Sequence, residues 1–99
     1  MVGKFEAVDA KLTVYALANG MDLIKGEGFR RLEWYLDRMD RGILVSVTPA
    51  GALEVTAMAW SGDVETARKE TVGDPILSED LVAELTAALD NAIDKANAL

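Results

Sequence analysis

The sequence predicts an α+β domain in which helices pack on one face of a small antiparallel sheet, and three observations carry that reading. Apolar residues recur at three- and four-residue spacings toward both ends of the chain. They alternate at period two in the middle, and glycine, proline or asparagine punctuates each change of period. The expected order is two N-terminal helices, a three-stranded antiparallel meander and a C-terminal helix, with residues 1–99 forming a single compact domain.

The first helix is expected from Gly3 to Asn19, where Phe5, Val8, Leu12 and Tyr15 share one face and four alanines add helix propensity. Asn19-Gly20 tolerates the left-handed conformation that ends a helix. A strand over Lys11 to Ala18 is the rival, because Leu12, Val14, Ala16 and Ala18 alternate. A second helix is expected from Gly28 to Arg41, with Phe29, Leu32, Tyr35, Leu36 and Met39 on one side and mainly charged residues on the other.

After Gly42 the pattern turns to period two. Ile43 to Thr48 and Ala52 to Trp60 read as a β-hairpin around Pro49-Ala50-Gly51. Ser61-Gly62 supplies the next turn, and Asp63 to Val72 alternates as a polar edge strand, with a short helix from Ser61 or Asp63 as the alternative. Gly73-Asp74-Pro75 breaks the pattern, and Ser78 is the expected N-cap of a last helix whose first turn holds Glu79 and Asp80. Its expected buried stripe is Val82, Leu85, Leu89, Ala92, Ile93 and Ala96.

Composition narrows the chemistry. The chain is 51% hydrophobic and 27% charged, which excludes a disordered chain. With no Cys and no His, the side chains most used for thiol chemistry, general base catalysis and zinc binding are missing. No targeting signal or membrane span is evident, so the expected compartment is the cytoplasm.

Candidate catalytic patterns are weak. Gly26-Glu27-Gly28 before a helix would offer backbone amides to a phosphate, but it lacks a third glycine at dinucleotide spacing and a Gly-Lys-Ser/Thr ending. The pairs Glu33 and Asp37, Asp37 and Asp40, and Asp90 and Asp94 have helical spacings that could present two carboxylates to a cation. Four arginines surround the first two pairs, and such spacings also belong to ordinary solvated faces. The expectation is no enzyme, no cofactor and no metal.

The charge is regional. Residues 1–41 hold seven bases and seven acids, residues 42–62 only Glu54, and residues 63–99 nine acids against Arg68, Lys69 and Lys95, so most of the net −7 lies in the last segment. An acidic face of this kind can imitate a row of phosphates before a basic groove. Beside it, Met58 and Trp60 would lie on the open face of the sheet as apolar anchors.

The expected function is therefore a small acidic, non-enzymatic protein-binding module. By analogy of size and charge it would be a phage or mobile-element inhibitor that blocks a basic nucleic-acid-binding surface, as on a CRISPR effector. Its expected contact residues are Met58, Trp60, Asp63, Glu65, Glu70, Asp74, Glu84, Asp90 and Asp94. The partner is a protein with a basic surface, without direct nucleic-acid or membrane binding. Two alternatives are a homo-oligomer pairing through the last helix or the open sheet face, and a small-ligand or metal-dependent enzyme using carboxylates.

Overall fold

The computed structural model describes residues 4–77 and 81–99. Helix α1 (Lys4–Ala18) leads into five strands, β1 (Asp22–Gly26), β2 (Phe29–Leu36), β3 (Met39–Val47), β4 (Leu53–Trp60) and β5 (Arg68–Thr71), and α2 (Leu81–Ala98) follows. The strands pair antiparallel in chain order, forming a five-stranded meander. The expected second N-terminal helix is not there, and the sheet has five strands instead of three.

The error lies between residues 22 and 41. β1 passes to β2 through Glu27-Gly28, with Gly28 at φ 81°, and β2 passes to β3 through Asp37-Arg38, at φ 53° and 67°. Two consecutive left-handed residues match the twist of a tight hairpin, a role usually filled by Asn-Gly or Asp-Gly, so Asp37-Arg38 hides the turn. The spacings of Phe29, Leu32, Tyr35, Leu36 and Met39 fit a helix by coincidence. In the strand, Arg30, Leu32 and Trp34 face the helices while Phe29, Arg31 and Tyr35 face away, and the aromatic content suits a pleated surface. Gly26-Glu27-Gly28 belongs to this hairpin and precedes no helix.

α1 follows the expected pattern, with Phe5, Val8, Leu12 and Tyr15 buried. Its end is fixed by Met21 N–H donating to the Ala16 carbonyl at 2.8 Å and Gly20 N–H donating to the Leu17 carbonyl at 3.4 Å, with Gly20 at φ 66°. Within 63–72, only Arg68–Thr71 is a strand; Val64–Thr66 forms a 3-10 turn, so the shorter helical alternative describes the first half. The Asp63 carboxylate accepts from Glu65 N–H at 2.9 Å, a local bond that competes with strand pairing. Ser78, Glu79 and Asp80, the expected cap and first turn of the last helix, lie outside the described residues.

Both helices lie on one face of the sheet, α1 against β1 and α2 against β3 and β4. Leu32, Ile43, Val45, Leu53, Val55 and Ala57 meet the helix stripes there in one core, to which α2 contributes Leu85, Leu89, Ala92 and Ala96. Val82, expected in that stripe, is instead exposed. Each fully buried leucine contributes about 1.5–3 kcal/mol. Arg41 is buried on this face, donating to the Leu36 carbonyl at 3.1 Å and to the Ala96 carbonyl in the last turn of α2. There its positive charge meets the negative end of the helix dipole. Neither described helix is long and apolar enough to cross a membrane.

Candidate functional site

The segment after β5 does not leave the sheet directly. Val72 N–H donates to the Val55 carbonyl at 2.8 Å, and Ile76 and Leu53 exchange two backbone hydrogen bonds of 2.7 and 3.1 Å. Between these pairings Glu54 alone on β4 faces Gly73-Asp74-Pro75, so the opposite segment bulges out of the ladder. Gly73 takes φ 66°, and Pro75 has no N–H to offer a ladder. Bulges re-aim side chains. Here Val72 and Ile76 stay buried as anchors while Gly73, Asp74 and Pro75 stand exposed between them.

The bulge faces α2 across a groove of ≈ 640 Å³. One wall runs from Val72 to Ile76, the other along α2 from Glu84 to Lys95. Ala87 and Ala88 line the helix wall, where their short side chains leave room between the two elements. Asp74, Glu84 and Asp94 place acidic residues along its walls, two from α2, about 15 Å apart along the helix axis, and one from the bulge. A volume of this order falls within the roughly 300–1,000 Å³ of small-molecule sites.

Among the described residues these three carboxylates have no ion-pair partner. The one base lining the groove, Lys95, has its ammonium 3.0 Å from Glu70 on β5. An apolar wall with acids around it suits a lysine or arginine, whose aliphatic stem lies along alanine while its charged head reaches carboxylate. No group of three or more carboxylates is placed to hold a metal ion among the described residues.

The acids expected to form one face separate into several places. Asp74, Glu84 and Asp94 line the groove, and Glu70 joins its margin through Lys95. Asp63 and Glu65 belong to the exposed 3-10 turn. Asp90 accepts a 2.6 Å hydrogen bond from the Tyr15 hydroxyl, tying α2 to α1. Burial, followed by that bond, pushes the Tyr15 phenol above its ordinary pKa. The pair Glu33 and Asp37 does not share a helix: Glu33 bonds Arg31 within β2, and Asp37 forms the β2–β3 turn.

Met58 and Trp60 are not exposed anchors, being 3% and 6% accessible. They do lie on the sheet face away from the helices, as alternation requires, yet they are covered there. Gly42 explains much of this: the Trp60 ring lies across it, and a Cβ at that position would stand 3.1 Å from the ring. Met58 is directly opposite Gly42 in the ladder.

Sequence reasoning missed the groove because it took Gly73-Asp74-Pro75 as a simple break. The available signal was Val72 and Ile76, two apolar residues on either side of a Gly-Asp-Pro insertion that could both remain paired with one strand. Comparison of the chain with protein-family models, curated proteins and solved structures finds no match in any of the three.

Proposed function

We propose that this chain is a non-enzymatic protein-binding module that occupies a basic surface, of the kind used to hold nucleic acid, by offering carboxylates where phosphates would lie. The observation that carries this reading is the groove along which Asp74, Glu84 and Asp94 are spread beside an alanine wall without a cation partner among the described residues. The acidity of residues 63–99 extends the same field beyond the groove and favours encounter with a cationic partner. A phage or mobile-element inhibitor of a nucleic-acid-binding complex is one biological form of this activity. Ala92 and Ala96 of the last helix, the element through which self-pairing is the alternative, are buried inside the chain.

The test is capture from a cell lysate by the immobilised protein at low and high salt, with excess DNA as competitor. The expected partner is a nucleic-acid-binding protein, released both by salt and by DNA, and lost in the D74N/E84Q/D94N variant. Capture that is indifferent to these three substitutions, to salt and to DNA would overturn the reading.

A further inference from the structure

We infer that α1 pairs in parallel with α1 of a second copy of this chain, through an apolar seam of Ala7, Ala10, Val14 and Leu17 flanked by Glu6–Lys11 ion pairs between the copies. The inference is independent of the proposed function, and its surface shares no residue with the groove.

α1 is apolar on two opposite sides. Phe5, Val8, Leu12, Tyr15 and Ala16 are buried in the chain's own core. Ala7, Ala10, Val14 and Leu17 are exposed, Leu17 at 77%, and their spacings of three, four and three set them in one row on the side away from that core. In heptad terms the row occupies positions a and d, and the buried residues fall at b, c and f. The outer face of a solvated helix is ordinarily polar, and this row holds no polar residue. Because the core already holds α1 folded, a partner helix does not have to offset the cost of nucleating it.

Charge complementarity selects a second copy and its direction. Val14 at a and Leu17 at d are the residue types that favour two parallel strands. In such a pair, position g of one helix lies beside position e of the following heptad on the other, which sets Glu6 of each copy against Lys11 of the other. Neither residue forms an ion pair among the described residues. They also occupy opposite flanks of the row: Lys11 lies one turn before Tyr15, which bonds Asp90 on α2, and Glu6 lies one turn before Asp9, which bonds Arg30 on β2. A twofold axis parallel to the helices therefore joins unlike flanks twice. An antiparallel pair would instead set Lys11 near Lys11 and bring the two α2 helices, with exposed Glu84, Asp90 and Asp94, to the same side.

From Ala7 to Leu17 the seam is about 15 Å long. So short a contact falls below the roughly 1,200–2,000 Å² of a stable interface, and the dimer belongs to the weak, reversible class.

The test is sedimentation of the full chain from about 10 μM to about 1 mM, the range of weak association. A monomer–dimer equilibrium is expected, and Leu17→Ser, at an exposed position outside the core, should leave the chain monomeric throughout. Glu6→Lys alone and Lys11→Glu alone each turn two attractive pairs into repulsive ones and should weaken dimerisation about tenfold. The double exchange E6K/K11E, which keeps the parent's net charge, should restore it, as should an equimolar mixture of the two single variants. A monomer at every concentration, or a dimer unaffected by Leu17→Ser, would overturn the inference. A dimer that needs Leu17 but is not restored by the double exchange would overturn the parallel pairing.

Discussion

The charges of the first 41 residues and those of the last 37 behave differently in the fold. In the N-terminal part, bases and acids are equal in number, and several are engaged inside the structure. Arg30 bonds both carboxylate oxygens of Asp9 at 2.8 and 3.1 Å and lies 4.4 Å from the Phe5 ring centre. Arg31 bonds Glu33, and Arg41 binds the end of α2. In the C-terminal part, only Glu70 among the acids forms an ion pair between described residues, and three others border a groove. Net charge alone does not separate these cases; the difference is whether a cation is held within the fold.

This contrast can be broken first at Arg41. Arg41→Met leaves the Leu36 and Ala96 carbonyls without their buried donor and should cost about 1–3 kcal/mol in chemical denaturation. An unchanged midpoint would show that the guanidinium does not stabilise the α2 terminus. Tyr15→Phe removes the hydroxyl that joins α1 to Asp90 and should cost about 1 kcal/mol. Because folding raises the Tyr15 pKa, its contribution is complete below the unfolded value near 10 and is lost as pH rises through the folded value. Tyr15→Phe should therefore flatten the alkaline limb of the stability curve.

Asp9→Asn sharpens the same comparison at the opposite end of the pH scale. The Arg30 hydrogen bonds hold the Asp9 carboxyl below its ordinary range, against the opposing effect of burial. Its contribution is present above about pH 4, the unfolded value, and is lost as pH falls through the folded value. The substitution should cost about 1 kcal/mol at neutral pH, with the difference from the parent vanishing in acid. The smallest stability effect belongs to the groove: Glu84→Gln and Asp94→Asn should each stay within about 0.5 kcal/mol in thermal unfolding, because neither carboxylate has a cation partner among the described residues.

How much of this was legible in the sequence depended on how local the signal was. α1 with its Asn19-Gly20 end, the β3–β4 hairpin and the buried Leu85, Leu89, Ala92 and Ala96 of α2 each follow from spacing within one element. The β1–β2–β3 region was misread because its turn chemistry is atypical at Asp37-Arg38 and because aromatic and leucine spacing in β2 imitates a helix. The concentration of acid was visible, but its division was not. Which carboxylates meet a tyrosine, a lysine or a groove depends on α2 lying beside the bulge, a contact between separate elements. Met58 and Trp60 failed as exposed anchors for a related reason: Gly42, on the neighbouring strand, gives the Trp60 ring a place to lie.

The central claim is that position, not net charge, makes the groove a binding site for a basic partner. Two variants with equal charge removal separate these causes: D74N/E84Q/D94N at the groove, and E6Q/D22N/E27Q at exposed positions in the N-terminal part. Their affinities for a capped oligolysine peptide should be compared by calorimetry at low salt. The groove variant should bind at least about tenfold more weakly than the parent, a difference of ~1.4 kcal/mol, and the control variant within about twofold of it. Equal weakening in the two variants would contradict the account.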